Sequence, residues 1–351
     1  MPKPLIIAEN IMKWFPITRG LKGALQRLPV IYARAVDNIS FTIYQGETFA
    51  MVGESGSGKT TTGRLLLKLL DLTGGEAYYG SIPLSKLSGN PLKAFRRQAQ
   101  MIFQDPYSSL DPRFTIGASL EEPLIIHKIT KSDEERKELV AKILEDVRMI
   151  PPEEYTWRFP HQLSGGQRQR IAIARALMLR PKFIVADEPV SMLDVSIRAE
   201  ILELMRSLKE KYNLTYLYIT HDLSTARFIA NRIAVLYLGK IVELGNADDV
   251  IEDPLHPYTQ ALVAAVPEPD PELRFKLKEI KVVGEIPSSV FIPPGCRFHP
   301  RCPYVMDICK KVEPQLVEIK PNHYVACHLY SGNKLYEEVV KNEKAANVRQ
   351  I

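Results

Sequence analysis

The sequence predicts an α/β fold organised round a phosphate-binding loop, on three observations. An apolar run at 48–52 (TFAMV) leads straight into the glycine-rich segment GESGSGKT at 53–60, and a helical pattern follows over 60–70. Short apolar runs alternate with amphipathic stretches through the middle of the chain. A second apolar run, at 183–186, ends in a pair of acids, Asp187 and Glu188. Strand, glycine-rich loop and helix in that order give a phosphate-loop match its structural context. Strands alternating with helices indicate α/β architecture.

In order, residues 5–10 and 35–44 carry the apolar and β-branched residues of strands, with a Gly- and basic-containing insertion around 19–29 between them. The 132–147 segment is charged and amphipathic, hence helical, and Pro151 and Pro152 close it. Residues 165–179 read as helix, followed by Pro181 and the buried strand 183–186. A helix at 196–211, a strand at 215–220 and a helix at 223–230 come next. Strands 233–237 and 240–243 form a hairpin turning at Gly239. Near Asp248 the composition changes: Pro254, Pro257, Pro267, Pro269 and Pro271 interrupt a helical run at 258–266, and a cysteine-bearing segment and charged tail follow. The expected division is a nucleotide-binding domain over 1–245 and a C-terminal extension over 246–351.

At 351 residues the chain can bury one sizeable core and add a smaller domain. A formal charge of +5 with 25% charged residues describes a mixed-charge surface better than a nucleic-acid or lipid patch. No stretch approaches the roughly 18 consecutive apolar residues needed to cross a bilayer, and the N-terminus lacks the apolar core of a secretion signal. The expectation is a cytosolic protein that meets membranes through a partner. In that reducing compartment four cysteines point to a metal site rather than to disulfides.

The loop supplies backbone amides from Gly53, Glu54, Ser55, Gly56, Ser57 and Gly58 to surround a β-phosphate. Lys59 is placed to reach the β- and γ-phosphates, and the Thr60 hydroxyl to ligate Mg2+, with Thr61 beside it among the nucleotide contacts. Asp187 at the end of its strand would hold Mg2+ through water, and Glu188 would polarise the attacking water. Gln104 follows an apolar run; its amide suits contact with Mg2+ and the attacking water, or plain solvent exposure. His221 follows the strand at 215–220 and suits the γ-phosphate, or a cap on the next helix. LSGGQ at 163–167 sets Ser164, Gly165, Gly166 and Gln167 at a helix start rich in free amides, which can bind phosphate. It lies too far along the architecture to serve its own loop, so a head-to-tail dimer with a composite site is expected.

These motifs together resemble the ATPase subunit of an ABC transporter, over residues 5–245. The resemblance makes 53–60 the Walker A motif, Gln104 the Q-loop residue, 163–167 the signature and 183–187 Walker B. It makes Glu188 the catalytic glutamate, 191–194 the D-loop and His221 the switch histidine. Phe15 matches the aromatic that stacks on adenine, with Trp14 adjacent. The D-loop reads SMLD where SALD is common, and Met192 leaves Asp194 in place, as a packing variation would. DNA-repair and translation ATPases share the composite site but usually carry long coiled coils or duplicated modules, which this chain lacks.

Cys296, Cys302, Cys309 and Cys327 are separated by five, six and seventeen residues. Four soft thiolates can enclose zinc or an iron–sulfur cluster, and His299, His323 and His328 leave a mixed Cys/His zinc site open. HPYTQAL at 256–262, GEIPS at 284–288 and GCRFHPRCP at 295–303 narrow the resemblance to ATPases of oligopeptide/dipeptide importers. That resemblance implies a related second ATPase, two membrane permeases and an extracytoplasmic solute-binding protein as partners, at the cytoplasmic face of the membrane. It implies a groove at 104–123 for the permeases, and a [4Fe–4S] cluster on the four cysteines, zinc being the alternative. Import of oligosaccharides is the runner-up cargo. A soluble ABC ATPase acting on nucleic acid or ribosomes is the competing class.

Overall fold

The computed structural model describes residues 2–17, 30–105, 109–265 and 284–332. The insertion at 19–29, Val266 with Pro267, Pro269 and Pro271, and the charged tail lie outside the described residues. Strands β1 (Pro4–Ile17) and β2 (Ile31–Tyr44) open the chain, followed by β3 (Thr48–Val52) and helix α1 (Lys59–Leu66). Then come β4 (Gly74–Tyr79), β5 (Ile82–Pro83), α2 (Gly89–Gln98), β6 (Ala99–Ile102), α3 (Ile116–Ile126), α4 (Asp133–Asp146) and α5 (Pro152–Thr156). The second half carries α6 (Gly165–Leu177), β7 (Phe183–Asp187), α7 (Val195–Tyr212), β8 (Thr215–Thr220) and α8 (Leu223–Ile229). It closes with β9 (Arg232–Tyr237), β10 (Lys240–Asn246), α9 (Ala247–Glu252), α10 (Pro257–Ala264), β11 (Val317–Lys320) and β12 (His323–Val325).

Two sheets form. The larger runs β11-β12-β10-β9-β3-β8-β7-β6, and its centre is parallel: β3 pairs with β8 and β9, and β7 with β6 and β8. The smaller, β2-β1-β4-β5, is antiparallel. The central strands are apolar throughout because both faces are covered. Their period of two splits the core cleanly. Ala50, Val52, Ile184, Ala186, Tyr216 and Tyr218 point into one cluster with α3, α4, α6 and α7. Phe49, Met51, Phe183, Val185, Leu217 and Ile219 point into the other, against Leu65 and Leu66 of α1 and the inner face of the smaller sheet.

The expected strands at 5–10 and 35–44 are halves of longer ones. Asn10 has φ 49° and the β1–β2 register shifts repeatedly between Ala8 and Trp14, so alternation is broken where the pairing is not. The larger sheet also crosses residue 245: β12 pairs with β10 through Glu243↔Val325 and Leu244↔Tyr324. Phe298, 1% exposed, and Tyr258 belong to the same core cluster as the helices. No helix among the described residues is long and apolar enough to cross a membrane.

Candidate functional site

The glycine-rich loop leaves the C-terminal end of β3 between β8 and β9, where parallel α/β sheets bind their ligands. Its backbone demands glycine. Gly58, the residue before α1, has φ 106°, and a Cβ there would collide with the Ala35 carbonyl oxygen. Gly53 would likewise collide with the Leu236 carbonyl oxygen. Lys59 curls back over the loop, donating to the carbonyls of Gly53 at 2.6 Å and Glu54 at 2.9 Å. Burial lowers its pKa, opposed by the charges of Glu188, Asp187 and Glu54. Those carbonyls hold the ammonium where a phosphate would take it over.

The Thr60 hydroxyl donates to Asp187 Oδ1 at 2.9 Å, so two hard oxygen donors from α1 and β7 face each other. Burial raises the Asp187 pKa, and the Thr60 hydrogen bond resists that rise. The pair suits Mg2+, a hard cation that binds through one or two carboxylates and substrate phosphates. Glu188 follows with φ 44°, a left-handed turn uncommon outside glycine, pinned by its N–H to the Ile219 carbonyl at 2.9 Å. The turn aims its carboxylate at two groups. Gln104 Nε2 donates to Oε2 at 3.1 Å, and His221 Nδ1 lies 3.2 Å from Oε1. Gln104, Glu188 and His221, from the ends of three neighbouring strands, thus converge on one carboxylate.

Ser164 and Gln167 form a reciprocal cap at the start of α6: Gln167 N–H donates to Ser164 Oγ at 3.3 Å, and Ser164 N–H to Gln167 Oε1 at 3.0 Å. Gly165 packs against Leu193 of the D-loop and Gly166 against Ile197 of α7. The expected packing variation at Met192 is not within this chain, because the side chain is 61% exposed. Phe15 is exposed, with the Lys13 ammonium 5.2 Å from its ring centroid. Trp14 is engaged elsewhere, its indole N–H on Asp37 Oδ1 at 3.0 Å and the Arg34 guanidinium over its ring. Beside Gln104 an open groove of about 310 Å3 is lined by Phe103, Pro123, Ile126 and Arg175 among others.

The cysteine segment folds against the ATP-site core. Cys296 N–H donates to the Cys309 carbonyl at 2.8 Å. Burial pushes Cys296 up to about 11 and Cys327 up to about 12, and the charges of the other three cysteines add to the rise at Cys327. All four are free thiols. Cys296, Cys302, Cys309 and Cys327 are neighbours, but among the described residues no three His, Cys, Asp or Glu groups are arranged to hold a metal ion. The expected histidines are engaged in other ways: His323 Nε2 lies 2.7 Å from Glu243 Oε1, His328 Nε2 2.8 Å from the Val312 carbonyl, and His299 Nδ1 2.9 Å from the Cys296 carbonyl.

Sequence reasoning missed Arg301 and Tyr258. Arg301 grips the Glu54 carboxylate with both terminal nitrogens, at 2.7 and 3.0 Å, and the Tyr258 hydroxyl accepts the Glu54 N–H at 2.8 Å. The available signal was a cation lodged between two cysteines and a tyrosine inside HPYTQAL.

A phosphate loop, an acid pair at the end of the parallel strand β7 and a separate capped glycine pair define an ATPase of the ATP-binding cassette class. The model for the ABC transporter family matches residues 36–191, and that for the oligopeptide/dipeptide transporter C-terminal region matches 242–309. The chain is 48% identical over 306 residues to the putative oligopeptide transport ATP-binding protein YkfD of Bacillus subtilis, covering 87% of this chain and 92% of that protein. It is 47% identical over 324 residues to the oligopeptide transport ATP-binding protein AppF of the same organism, covering 92% and 96%. The dimeric cassette MJ0796, solved in a post-hydrolysis state with ADP and Pi, superposes with a TM-score of 0.60 at 32% identity, over 69% of this chain and 99% of that one. The chain belongs to the oligopeptide/dipeptide group of ABC transporter ATP-binding proteins.

Proposed function

We propose that this chain hydrolyses ATP to drive import of oligopeptides or dipeptides through a membrane permease pair. The observation that carries the chemistry is the convergence of Gln104 and His221 on the Glu188 carboxylate, beside Lys59 and the Thr60–Asp187 pair. In this reading Lys59 leaves the Gly53 and Glu54 carbonyls for the β- and γ-phosphates. Thr60, Asp187 and Gln104 would hold Mg2+, which would neutralise phosphate charge. Glu188 polarises the attacking water, and His221 fixes its carboxylate and meets the γ-phosphate. Phe15 stacks on adenine. Ser164, Gly165, Gly166 and Gln167 serve the nucleotide of a second, related ATPase subunit, closing a composite site.

In this reading the groove beside Gln104 receives the permeases, and the chain works at the cytoplasmic face, with a solute-binding protein outside. Residues 1–245 act as the motor and 246–351 as an extension whose four cysteines offer a soft donor set for a structural [4Fe–4S] cluster, or for zinc. Peptide cargo rests on the C-terminal region match and on the likeness to oligopeptide transport ATP-binding proteins. Identification by mass of proteins co-purifying from gently solubilised membranes tests the whole reading. Two permeases, a second ATPase and a peptide-loaded binding protein are expected; ribosomal or nucleic-acid partners alone would overturn it. Iron and sulfide analysis of anaerobically purified chain decides the metal, with iron expected and zinc or no metal counting against the cluster.

A further inference from the structure

The extension reaches the phosphate loop at Glu54. Its carboxylate, its N–H and its carbonyl are all engaged. Arg301, between Cys296 and Cys302, makes a two-point contact with the carboxylate, its side chain 11% exposed and that of Glu54 29%. The Tyr258 hydroxyl, on α10, accepts the Glu54 N–H. The Glu54 carbonyl in turn holds the Lys59 ammonium. Arg301 is itself braced, its guanidinium 5.8 Å from the Tyr237 ring centroid and 5.9 Å from that of Phe298. A planar guanidinium held at two points fixes orientation as well as charge.

A carboxylate in this loop is awkward for an ATP site, since the phosphates entering the cradle carry like charge. We infer that Arg301 is a positioning residue of the ATP site. It neutralises Glu54 and, with Tyr258, fixes the peptide that presents Lys59, so that the extension is a working part of the phosphate loop. The inference rests on the ATPase reading above and deepens it. Arg301 touches no substrate. It acts through Glu54, 247 residues away in the chain.

A plain structural staple and a charge-neutralising brace differ in what Glu54→Gln does to an Arg301 variant. The full-length chain is purified as wild type, R301Q, R301K, Y258F and R301Q/E54Q. Equilibrium affinity for a fluorescent ATP analogue and steady-state KM and kcat are measured at two ionic strengths. R301Q is expected to weaken nucleotide binding and raise KM about tenfold, with a smaller change in kcat, and salt should shrink the loss. R301K should recover part of the affinity, because it restores charge without the two-point geometry. R301Q/E54Q should return to within about threefold of wild type, because the uncompensated carboxylate is gone. Y258F should show a smaller, salt-independent loss of affinity. Unchanged affinity in R301Q, or a double variant weaker than R301Q, would overturn the inference. A wild-type chain that binds nucleotide without turning it over would sink the ATPase reading alone, and the affinity series would still decide this one.

Discussion

Replacing Glu188 by glutamine separates charge from shape at the centre of the site. The carboxylate takes Gln104 Nε2 on one oxygen and faces His221 Nδ1 with the other. An amide of the same shape keeps one acceptor, and a flip of Gln104 or a tautomer change at His221 can satisfy the rest, so the left-handed turn and the three-residue cluster should persist. The negative charge does not persist. Loss of a positioned general base costs about a hundred- to ten-thousandfold in rate, equivalent to about 2.7–5.4 kcal/mol of barrier. ATP affinity should hold or rise, because Glu188 gives the largest charge contribution opposing the fall in the Lys59 pKa, and removing it leaves the loop more positive toward phosphates. Phosphate release in a single turnover and equilibrium ATP binding are the assays, with size-exclusion chromatography to detect a trapped ATP-bound dimer. Turnover within tenfold of wild type would refute the assignment of Glu188 as the group that polarises water. Gln104→Ala and His221→Ala should each cost less, about ten- to a hundredfold, because each removes one polar partner of the charged carboxylate.

Gly58→Ala puts a Cβ into the Ala35 carbonyl at φ 106°, and nucleotide affinity should fall more than about tenfold, from strain of about 1–3 kcal/mol plus displacement of the loop. Phe298→Ala should lower stability by about 3–5 kcal/mol, read from the urea midpoint, because Phe298 packs on Tyr237 and Tyr258 in the main core. Two separate transitions in the wild-type chain would contradict that shared core. His256, fully enclosed, has its pKa lowered to about 3 by burial, so below about pH 6.5 the unfolded chain binds a proton the folded one refuses. Stability should therefore fall as pH drops from about 6.5 toward 3, and His256→Asn, whose amide oxygen can still accept the Tyr258 N–H, should flatten that part of the profile. An unchanged profile would show that His256 is not responsible.

Much of the ATP site was legible because its conformations are local. GESGSGKT follows an apolar strand and precedes a helix, and the Asp187–Glu188 pair ends another buried strand. The signature glycines follow a serine whose partner Gln167 is three residues on, the spacing of a capping box. Several elements were not legible. Strand β6 is only AQMI, and β12 is HYV. Segments this short carry no period, and they become strands because β7 and β10 offer edges to pair with. Helix α3 contains Pro123, which reads as a break in sequence.

The sequence alone determined the chemistry on offer: a lysine and threonine after a glycine loop, an acid pair after a buried strand, a capped glycine pair and four thiols. Short-range sterics and hydrogen bonding write those features into neighbouring residues. Tertiary structure decided which groups meet. Gln104 finds Glu188 across 84 residues, and Arg301 finds Glu54 across 247. Such pairings follow from which strand lies next to which and from how the aromatic cluster of Tyr237, Tyr258 and Phe298 seats the extension on the core. Packing sets those distances, and no local pattern encodes them.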